Sequence, residues 1–444
     1  MTKRGRQVSV HEEAEAGMRS DDGVVLLISS GRRAYREYLL TGLAECVPVW
    51  LIEEQAPTWQ LPHIAGSSVV SLLDHARMVP DEDGLFEAAA AVARARPVRG
   101  ISTYDEAFVI ATARVAERLG LPGLTVAGAE RCRDKHLTRT ALTSSGVPQP
   151  RYALAATLSE AAAAAQRIGF PVVLKPRGMG ASAGVVPVGQ ASDVAAAFAV
   201  AARASHAGPP AFEEGLLVEE MVQGPEISVD GVVAAGEYRP FCLARKHQGP
   251  APYFEEIGHV VDAADPLLQD ARLRRVLAEA HRALGLADGI THTEVRMTAR
   301  GPVIIEVNAR LGGDMIPYLG KLATGVDAGR VAADAARGAR PSLEASRRQV
   351  AGIRFLYPPE DCRILDISLP EPGAVPGLVS AQPMAAPGEA VYLPPRAHLG
   401  RYALLIACAT EPAACEACLD EATMLASVQF EPLKPEELVP SRVL

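Results

Sequence analysis

Thr291-His292-Thr293-Glu294-Val295-Arg296-Met297-Thr298-Ala299-Arg300-Gly301-Pro302-Val303-Ile304-Ile305-Glu306-Val307-Asn308-Ala309 reads as two strands joined by a tight turn. The turn signal lies between Thr298 and Pro302, and alternating residues flank it. A pairing symmetric about Arg300 sets Glu294 opposite Glu306. The two-residue period of a strand then puts Asn308 and Arg310 on the face of Glu306, with His292 and Arg296 on the face of Glu294. Like charges facing each other across a hairpin destabilise it by up to about 1 kcal/mol unless a cation lies between them. Hard oxygen donors point to Mg²⁺, which takes one or two carboxylates and keeps positions for water and phosphate oxygens. The reading depends on register, because a one-residue slip sends Glu306 to the other face. Taken alone, the segment is equally an exposed acidic hairpin.

Upstream, Val172-Val173-Leu174-Lys175 is an apolar strand ending in a lysine, and a buried ammonium needs an anion. The loop that follows, Arg177-Gly178-Met179-Gly180-Ala181-Ser182-Ala183-Gly184, is small enough for its N–H groups to fold over phosphate oxygens. No Gly-Lys-Ser/Thr closes it, and strand rather than helix follows, which excludes a Walker A loop and a dinucleotide-binding turn. A glycine-rich lid and an ordinary turn remain. Leu217-Val218-Glu219-Glu220-Met221-Val222-Gln223-Gly224-Pro225-Glu226 carries a strand into two acids, a turn and a third acid. Such acids accept from sugar hydroxyls or an exocyclic amine, or are simply solvated. Alone, the stretch from Arg245-Lys246-His247-Gln248 to Glu255-Glu256-Ile257-Gly258-His259 is a charged loop.

In this order and spacing, the segments from about Asp134 to Pro317 resemble the ATP-grasp ligase superfamily. The resemblance implies a fold of α/β and α+β parts: an N-terminal open α/β domain, two α+β subdomains gripping ATP, and a C-terminal α+β extension. It implies that Lys135 and Lys175 contact the ATP phosphates under a lid containing Gly178, Gly180 and Ser182. Glu219 and the backbone of Glu220 to Val222 would meet the adenine, Glu226 the ribose, and Lys246 the terminal phosphate. Glu294, Glu306 and Asn308 match the family's magnesium ligands, with Mn²⁺ as the alternative ion, in a site that usually holds two ions. Asn308-Ala309-Arg310-Leu311-Gly312-Gly313-Asp314 and Glu256-Ile257-Gly258-His259 look most like carboxylate-amine ligases that include bacterial L-amino-acid ligases. That implies Arg310 facing an acyl phosphate, Glu256 and His259 holding an amino acid, and the N–H groups of Gly312 and Gly313 beside an oxyanion. The expected reaction joins a small carboxylic or amino acid to an amine or second amino acid. The alternatives are a biotin-carboxylase-like enzyme that activates bicarbonate and a non-catalytic ATP-binding regulatory module. A homodimer is the family's habit.

The remaining sequence frames this core. The 444 residues suffice for several domains, and 44 basic against 53 acidic residues give a net charge of -9, which argues against a nucleic-acid or anionic-membrane binder. Residues 1–22 carry mixed charge and no apolar core, so they read as a disordered lead-in rather than a signal peptide, and the expected compartment is the cytoplasm. Seven scattered cysteines fit reduced thiols, and the Cys415/Cys418 pair lacks the second pair or histidine of a metal site. Apolar Val24 to Ile28, a break at Gly31 and helical spacing from Tyr35 open an α/β domain over 23–130. Gly31-Arg32-Arg33-Ala34 lacks the spaced glycines of a pyrophosphate loop, so a structural or substrate-shaping role is expected. The core is expected over 131–326, with its lid subdomain at about 171–236, and the C-terminal region over 327–444.

Overall fold

A computed structural model describes residues 9–11, 23–76, 79–180, 182–205, 215–249, 253–394, 396–434 and 437. Val24–Ile28 is buried throughout because parallel neighbours, Val49–Glu53 and Val98–Thr103, flank it within a five-stranded sheet. Helices Arg33–Ala44, Glu82–Ala95 and Val109–Leu119 accompany the sheet, and Gly120 ends the last with a left-handed φ of 65°. Ser9–His11 pairs antiparallel with Gly66–Val69, so part of the expected lead-in is sheet. The rest of that stretch lies outside the described residues.

A four-stranded antiparallel sheet follows, in the order Val186–Val188, Val172–Lys175, Leu216–Glu220, Tyr152–Ala155. Helices Leu158–Ile168 and Val194–Ala204 cover its apolar face. The unit therefore begins at Tyr152 and ends at Glu220, not at 171 and 236. Glu226–Ala234 belongs to the next sheet. Gly224 makes the crossing with φ 138°, and a Cβ there would lie 2.2 Å from the Met297 carbonyl oxygen.

That next sheet has eight antiparallel strands: Gly301–Asn308, Gly289–Thr298, Glu226–Ala234, Glu237–Gln248, Glu256–Asp262, Val350–Leu356, Ala403–Ala409 and Leu378–Pro383. Three of them come from beyond residue 327, so the expected C-terminal boundary cuts a continuous sheet. Alternate apolar residues such as Ile353 and Ile406 bury that extension against helix Ile316–Thr324 and its neighbours. Cys415 and Cys418 are buried between helix Pro412–Leu425 and this sheet, and burial pushes the Cys415 thiol up to about 12. Both act as packing residues. No helix among the described residues is long and apolar enough to cross a membrane.

Candidate active site

Glu294 does face Glu306, by a route that symmetry about Arg300 does not predict. The turn is two residues long, pairing Thr298 with Gly301 and Val295 with Ile304. Continued unbroken, that register would pair Glu306 with Thr293 and turn it away from Glu294. A bulge at Ile305 restores Glu294 against Glu306 and His292 against Asn308. Arg139 pins the bulge by donating to the Ile305 carbonyl oxygen at 2.6 Å.

These residues line a cleft between the four-stranded and eight-stranded sheets. Lys246 Nζ lies 2.9 Å from Glu226 and 2.8 Å from Glu294, and closely contacts Glu256. Burial alone would lower its pKa, but the three carboxylates hold it well above the usual lysine value. Burial would likewise raise Glu294, yet Lys246 and His292 bring it down to about 2. Lys135 meets Glu306 at 3.0 Å and donates to the Met179 carbonyl oxygen at 2.6 Å, tying the helix Lys135–Ser144 to the glycine-rich loop.

Lys175 lies in the cleft 2.8 Å from Glu219. Arg139 grips the same carboxylate at 2.7 and 3.2 Å. Against the effect of burial, Arg139 and Lys175 bring Glu219 down to about 2. The Glu219 carboxylate is thus committed to two cations rather than free for adenine. Glu220 pairs with Arg151 and Arg300, and the N–H groups of Glu220 and Met221 donate to the carbonyl oxygens of Arg151 and Pro171. Of this stretch, Val222 is left on the cleft wall without those commitments. Glu226 also meets Arg296 at 2.6 Å.

Gly180 and Ser182 line the cleft, and Ser182 Oγ donates to the Phe254 carbonyl oxygen at 3.5 Å. Gly178 is turned elsewhere, its carbonyl oxygen accepting from Arg133 at 3.0 Å. Ala181 lies outside the described residues. Arg310 lines the cleft with its Nε 2.5 Å from Glu106. Gly313 lines it too, but the Gly312 N–H donates to Asp230 at 3.2 Å and is not free for an oxyanion.

His259 is fully buried beneath the cleft floor, 3.2 Å from Glu256 and 3.5 Å from Asp314. Its expected contact with substrate is corrected to a supporting position behind Glu256. Burial lowers its pKa, but hydrogen bonds to Asp314 and Glu256 outweigh this and raise it.

The structure adds residues that sequence reasoning missed. Arg401 holds Asp314 at 2.7 and 2.8 Å, donates also to Tyr357 Oη at 2.9 Å, and stacks 3.6 Å above the Phe355 ring. Asp314 and Met315 both have left-handed φ, 50° and 61°, at the turn that brings Asp314 to the cleft. Glu255 accepts from His398 at 2.6 Å and from the Leu399 N–H at 3.1 Å. His292 Nδ1 lies 2.6 Å from Asp230. Sequence separations of 62 to 144 residues give such pairs no local signal.

Two sets of oxygen donors in the cleft bear on a divalent ion. Glu226, Glu256 and Glu294 place carboxylate oxygens within 4.8 Å of one another, but the Lys246 ammonium already serves that cluster. Glu294, Glu306 and Asn308, on adjacent strands and one face, offer hard oxygen atoms that fit Mg²⁺.

Residues 168–318 match the model of the ATP-grasp domain, and residues 49–123 match that of the ATP-grasp N-terminal domain. The chain carries an ATP-grasp domain. The fold of this ATP-grasp chain is similar to the crystal structure of an L-amino acid ligase from Bacillus licheniformis, with a TM-score of 0.75 at 20% identity over 93% of this chain and 100% of that one. It is 33% identical over 274 residues to the alanine–anticapsin ligase of Bacillus subtilis, covering 57% of each chain. It is 30% identical over 318 residues to the uncharacterized protein y4rH of Sinorhizobium fredii, covering 70% of this chain and 64% of that one. The ATP-grasp chain thus spans less than two thirds of the length of these two curated relatives.

Proposed function

We propose that the protein is an ATP-dependent carboxylate-amine ligase that works through an acyl phosphate and releases ADP and phosphate. The observation that carries this reading is the convergence of Lys135, Lys175 and Lys246 with Glu294, Glu306, Asn308 and Arg310 in one cleft between two sheets. The printed names of the alanine–anticapsin ligase and the L-amino acid ligase support it.

Attack of a carboxylate on the γ-phosphate brings two anions together, so the site must neutralise and align them. Lys135 and Lys175 serve the phosphates beneath the loop of Gly180 and Ser182, Val222 faces the purine, and Glu226 faces the ribose. Lys246 meets the terminal phosphate. Glu294, Glu306 and Asn308 would hold Mg²⁺, which would neutralise charge on the phosphate oxygens. The carboxylate oxygen bonds to the γ-phosphorus and ADP leaves. An amine then attacks the acyl carbon, phosphate leaves with the bonding electrons, and the amine loses a proton. Arg310 and the Gly313 N–H stabilise the oxyanion formed in between. Glu256 faces the amino-acid substrate, with His259 fixing its carboxylate from behind.

The test is incubation with Mg²⁺-ATP and pairs drawn from amino acids and small carboxylic acids. Pair-dependent ADP and phosphate, with a product lighter than its two parts by one water, is expected. ADP that depends on bicarbonate instead would overturn the ligase reading in favour of a carboxylase, and ATP binding with no turnover under either regime would leave the cleft a regulatory nucleotide site.

A further inference from the structure

The ligase reading leaves open whether the amine is a simple amine or an amino acid, and one arginine outside the ATP-grasp core bears on this. Arg36 lies in the first turn of the helix Arg33–Ala44, which follows Val24–Ile28. That strand sits between Val49–Glu53 and Val98–Thr103, so the helix starts at the carboxyl edge of the parallel sheet, where the chain departs to either side. Crevices at such points in open α/β sheets are where ligands bind.

Gly31 makes the placement of Arg36 possible. Its φ of 72° suits glycine, and a Cβ there would come within 3.0 Å of Arg36 Cγ. The side chain crosses this gap and its Nη1 donates to the Gly312 carbonyl oxygen at 3.4 Å. Gly312 stands between Arg310 and Gly313, both on the cleft wall.

Three arginines on the cleft side of this edge, Arg310, Arg133 and Arg401, have carboxylate partners. Arg310 and Arg133 share Glu106, and Arg401 has Asp314. Arg36 is half-buried, makes no ion pair among the described residues, and has the Gly312 carbonyl as its hydrogen-bond acceptor. Burial holds its pKa below the usual arginine value and the charge of Arg310 adds to this, while Tyr38, Asp105 and Tyr104 oppose it. Removing a guanidinium partly from water beside another cation is unfavourable unless an anion joins it. A guanidinium fork matches a carboxylate through two parallel hydrogen bonds.

We propose that Arg36 binds the carboxylate of the amine-bearing substrate, which makes the acceptor an amino acid and the product a peptide-like amide with a free carboxylate. The proposal rests on the ligase reading. The lysines and the acid-amide set serve the phosphates and the acid being activated, whereas Arg36 approaches from the N-terminal domain on the far side of Gly312. In an α-amino acid the amine is two bonds from the carboxyl carbon. Anchoring that carboxylate at Arg36 therefore leaves the amine directed toward the acyl carbon beside Arg310.

The experiment compares acceptors with and without the carboxylate, for example L-alanine with ethylamine and L-phenylalanine with 2-phenylethylamine, at saturating Mg²⁺-ATP and acid. The wild-type protein is expected to favour the amino acid of each pair. Arg36→Gln should lower kcat/KM for amino acids by about 10- to 100-fold, mainly through KM, the size of a lost hydrogen bond to a charged group. The loss should fall far less on the amines, and KM for ATP should stay within about twofold. Arg36→Lys should restore part of the amino-acid activity, and circular dichroism of both variants reports folding. Equal use of amine and amino acid by the wild type would overturn the proposal, as would an equal loss with both acceptors, which would place Arg36 at the phosphoryl step. Those results would leave the ligase reading intact. Absence of ADP release with every acid and acceptor would overturn both.

Discussion

Glu306 and Arg310 are the residues on which the chemistry turns, and their surroundings make the consequences of replacing them distinct. Glu306 is half-buried with Lys135 as its counter-charge, so Glu306→Gln keeps the shape and removes one negative charge from the proposed metal site. ADP formation should fall by at least about 1000-fold, the order of loss when transition-state charge stabilisation is removed, while circular dichroism stays unchanged. Arg310→Ala should be similarly inactive; full activity in both variants would refute their assigned roles. Glu219 answers to a different measurement. Its folded pKa of about 2 lies below its ordinary 4.5, so it contributes stability above the unfolded value that is lost as pH falls toward the folded one. The contribution is about 3 kcal/mol by the size of the shift. In urea titrations the stability gap between wild type and Glu219→Gln should be widest above pH 5 and shrink steadily toward pH 2. The family resemblance implies an adenine contact for Glu219, whereas Arg139, which claims the carboxylate, lies 80 residues away. A residue's type and its face can be read locally. Its partner cannot.

At the scale of elements, caps and breakers were the legible features. Helices Lys135–Ser144 and Leu158–Ile168 start at residues whose side chains cap them, Asp134 and Thr157, which accept at the two N-termini. Helix Val126–Arg133 straddles the domain boundary expected between residues 130 and 131. The hairpin was legible as a hairpin, but its bulge depends on Arg139 from another element. Glu294 and Glu306 meet only because two departures from the simple register cancel. The crossing between the sheets has a comparable dependence on one residue. Gly224→Ala would force a methyl group toward the Met297 carbonyl in a conformation that L residues avoid, so the strand Glu226–Ala234 must shift relative to its neighbour Gly289–Thr298. The expected cost is about 2 kcal/mol or more. Thermal unfolding should show a lower Tm, and ATP affinity should weaken because Met221 and Glu226 flank the crossing; an unchanged Tm would show that the strand has room to yield.

For the whole molecule, the matched ATP-grasp segment ends at residue 318, yet the sheet that carries the cleft does not. Val350–Leu356 hydrogen-bonds to Glu256–Asp262, and two further strands continue outward from it. The C-terminal residues also reach the cleft: Arg401 neutralises Asp314, while His398 and the Leu399 N–H satisfy the buried Glu255. Ending the chain at residue 349 would uncover the edge of Glu256–Asp262 and strip the buried apolar surface of Ile353 and Ile406 from the shared core. It would also leave Asp314 without Arg401 and Glu255 without the hydrogen-bond donors His398 and Leu399 N–H, and an orphaned buried charge costs about 3 to 5 kcal/mol. A typical domain is stable by only about 5 to 15 kcal/mol, so the truncated chain should be insoluble or unfolded rather than a smaller working core. Expression of residues 1–349 beside the full chain, scored by soluble yield and by ATP-induced thermal stabilisation, decides the matter. Soluble truncated protein that still gains Tm with Mg²⁺-ATP would mean that the C-terminal strands shape the second-substrate side without holding the nucleotide cleft together.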